Sequence, residues 1–362
     1  MKLTNILILA LFVLLVGFPV DGVAVAFFDE DEPVQFQLTA PLAQLKRQRG
    51  ENPDWLEALV MTTDGNGAEI TLDAKIHARG NFRRKRSSCG FPSYWMNFRK
   101  KQVRGTVFDG LNKVKVVAHC REGRRSFAPF IYREYLAYKT YNLLTDKSFR
   151  VRLAEVEYVD ERGRISPRTE VAFFIEPVGI FAKRHKAKQV KERYILPDLY
   201  DPYLLSLAEM FQFMIGNTDF SFLASDGSCC HNAKAYETPE GYLPVPYDFD
   251  VTGLVDVPYA RVNPTLKTKS VRDRFYRGLT TDPDIFDKVL ESFMAKKEAI
   301  MELWENTPYL EGKDKTNAIA YIEEFYAIIE DPDLREKRIH KRMRNRENMT
   351  EKILTLMEEA GD

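Results

Sequence analysis

The sequence predicts an α+β protein of two lobes, strand-rich first and helical second. Three observations carry that reading. Hydrophobic residues alternate with period 2 through most of residues 34–176, the spacing of half-buried strands. After residue 180 most apolar runs switch to helical spacing. The exception is residues 215–256 (IGNTDFSFLASDGSCCHNAKAYETPEGYLPVPYDFDVTGLVD), which gather Asn217, Asp219, His231, Asn232, Asp248 and Asp250 around two short strand-like runs. The expected division is a signal segment at 1–26, a strand-rich lobe at 27–177 and a helical lobe at 178–362. The lobes meet near Glu176-Pro177, because proline cannot continue a central ladder.

Each element has its own signal. Residues 27–33 (FFDEDEP) are an acidic lead-in, and VQFQLTAPLAQL from Val34 reads as a strand followed by a helical turn. Residues 55–63 and 68–78 are strand-like and flank Asp64-Gly65-Asn66-Gly67, a strong hairpin signal. Residues 94–98 and 113–117 are further strands, the latter placing Lys113 and Lys115 on one face. Residues 130–144 turn helical, with Ile131, Tyr135, Tyr138 and Tyr141 as a core stripe. Residues 151–159 and 170–175 return to strand. Residues 181–193 are basic and helix-compatible, and residues 202–215 form a strongly apolar, buried helix. Three amphipathic helices are expected at 284–304, 315–329 and 347–359.

Composition bounds the function. The chain has 362 residues, enough for a large core, and 53 basic residues balance 53 acidic ones, which argues against nucleic-acid binding by bulk charge. Met1-Lys2, the apolar run from Ile6 to Phe18 and Ala24-Val25-Ala26 describe a secretory signal peptide cleaved after Ala26. The run is shorter than the about 20 residues of a membrane span, and no later run qualifies. The expected product is secreted or periplasmic, with no membrane span after cleavage.

Four cysteines, Cys89, Cys120, Cys229 and Cys230, fit two disulfides in an oxidising compartment. Three connectivities exist. A bond between neighbours is strained, which favours Cys89 and Cys120 each pairing with one of Cys229 and Cys230. The alternative is a local Cys89–Cys120 staple beside an adjacent pair.

Short carboxylates and carboxamides at the end of a hairpin suit a hard cation, which prefers oxygen donors and keeps several waters. Phosphoryl transfer needs a cation near the phosphates, an acidic residue to steady it, a metal held by Asp and Asn, and a carboxylate near the acceptor hydroxyl. The order Asp219, Asn232, Asp248 fits. At this point the chain resembles the CotH-like (spore coat protein H) atypical kinases. The resemblance rests on Arg79-Gly80-Asn81, Gly110 to Val116, Arg133 to Tyr138, Phe174-Ile175-Glu176, Gly216-Asn217-Thr218-Asp219, His231-Asn232 and Pro246 to Asp250. It covers roughly residues 75–255, and the specificity lies in the shared order rather than in any one piece.

The resemblance implies a two-lobed protein-kinase-like fold with ATP and Mg²⁺ (or Mn²⁺) as cofactors and Ser or Thr of an exported protein as acceptor. It makes Asp219 the catalytic carboxylate, and Asn232, Asp248 and Asp250 the metal ligands. Arg79, Lys115 (or Lys113), Glu134 and Glu176 would serve the nucleotide, with Glu134 steadying the lysine. One departure is specific: residues 220–230 separate Asp219 from His231, where the family has a short loop, and this brings in Asp226 as a rival base. A non-catalytic envelope or spore-surface binding protein is the alternative. A metal-dependent phosphoester hydrolase using Asp219, His231, Asp248 and Asp250 ranks third, because it leaves the lysine and glutamate unexplained.

Overall fold

A computed structural model describes residues 27–50, 52–64, 67–80, 82–121, 127–224 and 229–361. The signal segment expected at 1–26, the Gly65-Asn66 pair, Asn81 and Asp226 lie outside these residues.

Seven strands form a closed barrel: β1 (Val34–Ala40), β2 (Leu56–Thr63), β3 (Glu69–Ala78), β4 (Tyr94–Phe98), β5 (Lys113–Val117), β6 (Val151–Asp160) and β7 (Arg168–Ile175), in the order β1-β2-β3-β4-β5-β7-β6. All neighbours are antiparallel except one. β1 pairs with β6 in parallel, from Val34 opposite Ala154 to Ala40 opposite Asp160, and that seam closes the barrel.

This corrects the expected two-lobed kinase-like fold. The strands exist much where alternation placed them, but they close on one another in a mixed barrel. Alternation reports which face of a strand is buried; it carries no information about which strand lies alongside. Closure satisfies the backbone groups of both outer strands, which an open sheet would leave exposed.

The barrel interior is apolar. Phe36, Leu38, Val60, Ile76, Met96, Val114, Val156 and Phe174 fill it, and the Tyr94 and Tyr158 hydroxyls meet there at 3.2 Å. β6 and β7 are buried on both faces over part of their length. Ala154, Val156, Ala172 and Phe174 point inward, while Val151, Leu153, Phe173 and Ile175 point out under a helical layer. That layer starts with the helix Ala128–Leu144, whose Tyr135, Tyr138 and Tyr141 are buried as expected, Tyr138 packing on Phe173 with ring centres 5.8 Å apart.

The helix Pro202–Met214 follows, capped by the Asp201 side chain, which accepts from Leu204 N at 2.8 Å, and buried along nearly its whole length. The basic segment is only partly helical. The helix Val178–Arg184 ends at His185, and Lys188–Gln189 pair as a short strand β8 against β9 (Ala233–Thr238), itself hairpinned with β10 (Gly241–Pro246). The helix expected over 284–304 is two helices, Pro283–Ala295 and Lys297–Glu305, which break at Lys296. Gly312–Glu330 and Arg346–Ala360 supply the remaining long helices. Among the described residues no helix is long and apolar enough to cross a membrane.

The disulfides are Cys89–Cys120 and Cys229–Cys230, so the favoured cross-pairing is corrected to the local alternative. The reason lies in the sheet. β4 and β5 pair with Tyr94 opposite Val116, and extending that antiparallel pair by a few residues brings Cys89 beside Cys120. Phe91 N donates to Cys120 O at 2.8 Å, which extends the pairing.

Candidate functional site

A cavity of about 680 Å³ lies where Arg79, Gly80, Arg83, Ser93 and Val117 of the barrel side face Asp219, Asn232, Asp248, Asp250 and Tyr259. The β9–β10 hairpin builds one wall. Ala233 opens β9 opposite Pro246, the last residue of β10, so Asn232 and Tyr247 emerge side by side, and Tyr247 N donates to Asn232 O at 3.0 Å. The two residues that flank the hairpin, Asn232 (φ 48°) and Asp248 (φ 65°), are both left-handed. Asn and Asp tolerate that conformation better than other non-glycine residues, so the backbone itself favours short oxygen-bearing side chains here.

Asp219 enters from the turn after Pro202–Met214. The Asn217 carboxamide accepts from Asp219 N at 2.8 Å and donates to Gln212 Oε1 at 2.9 Å, which fixes the turn from the buried helix. The Asp219 carboxylate then meets both hairpin residues. His231 Nε2 lies 2.9 Å from Oδ1, and Asn232 Nδ2 donates to Oδ2 at 3.0 Å. The His231 hydrogen bond holds the Asp219 carboxyl below its usual range; the His231 charge, Asn232 and Arg277 add to this, against partial burial. Asp219 is therefore a half-exposed, ionised carboxylate with a fixed orientation. Phe220, Phe222 and Leu223 of the 220–230 segment are buried, and the Cys229–Cys230 pair is buried immediately before His231.

Asp248 and Asp250 occupy the deep end. Asp248 N donates to the Tyr138 hydroxyl at 2.8 Å. Burial pushes the Asp248 carboxyl up, and the Asp250 charge adds to it; Arg79, Arg83 and Lys115 oppose. Asp250 is engaged through one oxygen: its Oδ2 accepts from Arg83 Nε at 3.0 Å and from the Tyr259 hydroxyl at 2.7 Å. Arg83 also pairs through Nη2 with Glu134 Oε2. The partner of Glu134 is thus Arg83, where a lysine was expected.

Lys115 lies on β5 within the electrostatic reach of Asp248. Its ammonium sits 4.5 Å from the centre of the Tyr247 ring and 5.7 Å from that of Trp95. Burial, then the Arg79 charge, pull it down to about 7, and Asp248 pulls the other way. Lys113, the rival, is exposed and lies over Trp55 and Trp95. Arg79 is half-buried in the cavity wall. Glu176 sits elsewhere. It is 1% exposed, and Arg150 and Arg184 engage both of its oxygens.

Of the sequence-derived residues, Arg79, Asp219, Asn232, Asp248 and Asp250 line the cavity, while Lys115 and Glu134 stand directly behind it. Arg83 and Tyr259 are not among the residues the sequence singles out. Nothing in the sequence around Arg83 separates it from the neighbouring cations Arg84, Lys85 and Arg86.

Among the described residues no group of three or more His, Cys, Asp or Glu is arranged to hold a metal ion. With Asp250 Oδ2 bonded to Arg83 and Tyr259, the oxygens open to a hard cation include those of Asp248, Asp250 Oδ1 and the Asn232 Oδ1. That sparse set suits Mg²⁺, which takes one or two carboxylates and completes its shell with waters and phosphate oxygens. The partly buried Asp248 carboxyl beside Asp250 is also a place where an added positive charge is stabilising. No protein-family model matches the chain, and no curated protein matches it.

Proposed function

We propose that this cavity is a phosphotransferase site, which uses ATP and Mg²⁺ (or Mn²⁺) to phosphorylate Ser or Thr hydroxyls of an exported protein, as the likeness to CotH-like kinases implies. One observation supports it above the rest. An ionised Asp219, the Asn232 and Asp248 oxygens and the Arg79 cation come from distant parts of the chain to one cavity, and the Lys115 charge acts on Asp248 from outside its lining. Asp219 receives the proton of the acceptor hydroxyl. The acceptor oxygen bonds to the γ-phosphorus, the bond to the bridging oxygen breaks, and ADP departs. Asp248 and Asn232 would hold the metal, whose chemistry is to withdraw charge from the phosphate oxygens. Arg79 and Lys115 complement the phosphates. Glu134 and Asp250 hold Arg83 in place. The two disulfides support export.

The test is incorporation of radiolabelled phosphate in the presence of Mg²⁺ or Mn²⁺. Asp219→Asn is expected to lower it about 10²–10⁴-fold, the range for a lost general base, and Asp248→Asn to lower both transfer and nucleotide-dependent thermal stabilisation. Unchanged transfer in both variants would sink the assignment. The occupation of Asp250 by Arg83 favours a second reading, a non-catalytic nucleotide-binding surface protein. It predicts a thermal shift with ATP and Mg²⁺ and no turnover.

A further inference from the structure

A second cavity, about 1110 Å³, shares Lys85 with the first. Lys46, Arg47, Arg49, Arg84, Lys85 and Arg86 line it, with no carboxylate among its described lining residues. The cations come from two anchored segments. On one side the short helix Leu42–Leu45 is tied to the barrel by Ala43 N donating to Asp160 Oδ1 at 3.1 Å, and the Gln48 carboxamide accepts from Ala78 N at 2.8 Å. On the other, Ser88 N and Cys89 N both donate to Lys85 O, and the Cys89–Cys120 disulfide secures the end of that turn. The Arg49 guanidinium donates to Arg84 O and joins the two sides. Burial, and then the Arg86 charge, lower the Arg49 pKa, so the cations press on one another. A chain of zero net charge has concentrated a single sign of charge in one fixed groove. Such a field attracts an anion and speeds its capture.

We propose that this groove docks an acidic segment of the protein substrate, beside the hydroxyl presented to the neighbouring cavity. The identity of the segment rests on the phosphotransferase reading; the binding does not. Two features favour a carboxylate-rich peptide. Two of the arginines, Arg47 and Arg86, are exposed, and their planar forks match carboxylates in pairs, while Arg49 and Arg84 donate to backbone carbonyls and add charge. Lys85 borders both cavities, so the groove adjoins the acceptor side.

The experiment is fluorescence anisotropy without nucleotide, using a labelled oligo-glutamate peptide with one serine and its glutamine counterpart. The glutamate peptide is expected to bind the full chain in a salt-sensitive way. Joint Arg47→Glu and Arg86→Glu substitution, at two exposed positions, is expected to weaken it by about tenfold or more. The paired change to glutamine serves should charge reversal unfold the chain. Equal binding of the two peptides, or unaltered affinity in the variant, overturns the proposal. So does a sulfated glycan of equal charge that displaces the peptide at lower concentration. Parallel phosphate-transfer assays separate the two claims: peptide binding without transfer breaks the phosphotransferase reading alone, and transfer indifferent to acidic flanks breaks this one alone.

Discussion

Two glutamates, Glu134 and Glu176, are about equally buried and each meets arginine, yet their surroundings differ in one respect. Glu176 is saturated. Its Oε1 accepts from Arg150 Nη2 at 2.8 Å and Arg184 Nε at 3.2 Å, and its Oε2 from Arg184 Nη2 at 2.8 Å and Arg150 N at 3.2 Å. Glu134 keeps one oxygen, Oε1, without a hydrogen-bond partner, and so does Arg83 with Nη1. The first cluster stitches the start of β6 to the helix after β7. The second borders a polar cavity and shares Arg83 with Asp250. Buried charge by itself is therefore a poor guide to chemistry here. The unsatisfied remainder is the better one, since it costs stability that packing alone would not spend.

Substitution of each glutamate breaks or sharpens that contrast. Glu176→Ala leaves two arginines in a largely buried site with no carboxylate between them, a loss of about 3–5 kcal/mol. We expect a lower denaturant midpoint, with activity per folded molecule retained. Glu134→Gln is expected to do the reverse, with a smaller stability loss and a larger fall in nucleotide binding. Equal effects of the two on binding per folded molecule would erase the distinction. A smaller change is expected from Cys89→Ser with Cys120→Ser, which opens a loop of 31 residues in sequence separation and lowers stability by about 2–4 kcal/mol in denaturant titrations. It is also expected to loosen the basic turn and weaken acidic-peptide binding.

A pH effect is expected at Lys115. Its folded pKa lies near 7, against an ordinary 10.5, so between those values the unfolded chain binds the extra proton. Stability then rises with pH across that window, and the gain is absent below about 7. Anion binding should run the other way and weaken as pH climbs through about 7. Lys115→Met is expected to remove the stability slope, and Lys115→Arg to flatten the binding profile. A slope unchanged in Lys115→Met would assign it to another group.

What was legible in the sequence was local. Asn232 and Asp248 lie just outside two strands joined by a tight turn, so the two strand-like apolar runs sufficed to bring them together. The tyrosine stripe of Ala128–Leu144 followed from helical spacing. What was hidden depended on long-range contact. Arg83 reaches Asp250 across 167 residues, and neither side carries a local mark of the other. The partners of Glu176 and the closure of the barrel were hidden for the same reason. The cysteine pairing was nearer to hand, since it follows once β4 and β5 are taken as neighbours.

The parallel seam between β1 and β6 has a consequence for how this chain folds and fails. Gln35 and Gln37 reach Glu155 and Glu157 across it, a separation of 120 residues, whereas most other barrel pairings join strands close in sequence. Contacts that distant carry the largest loop-closure cost, so β1 docking on β6 belongs late in assembly. Until it happens, β6 presents an unpaired rim with apolar side chains beside it, and peeling β1 away recreates that rim. Open rims of this kind recruit other chains. Aggregation of this protein should therefore start at the seam, and a second copy of β1 is the segment best shaped to be captured there.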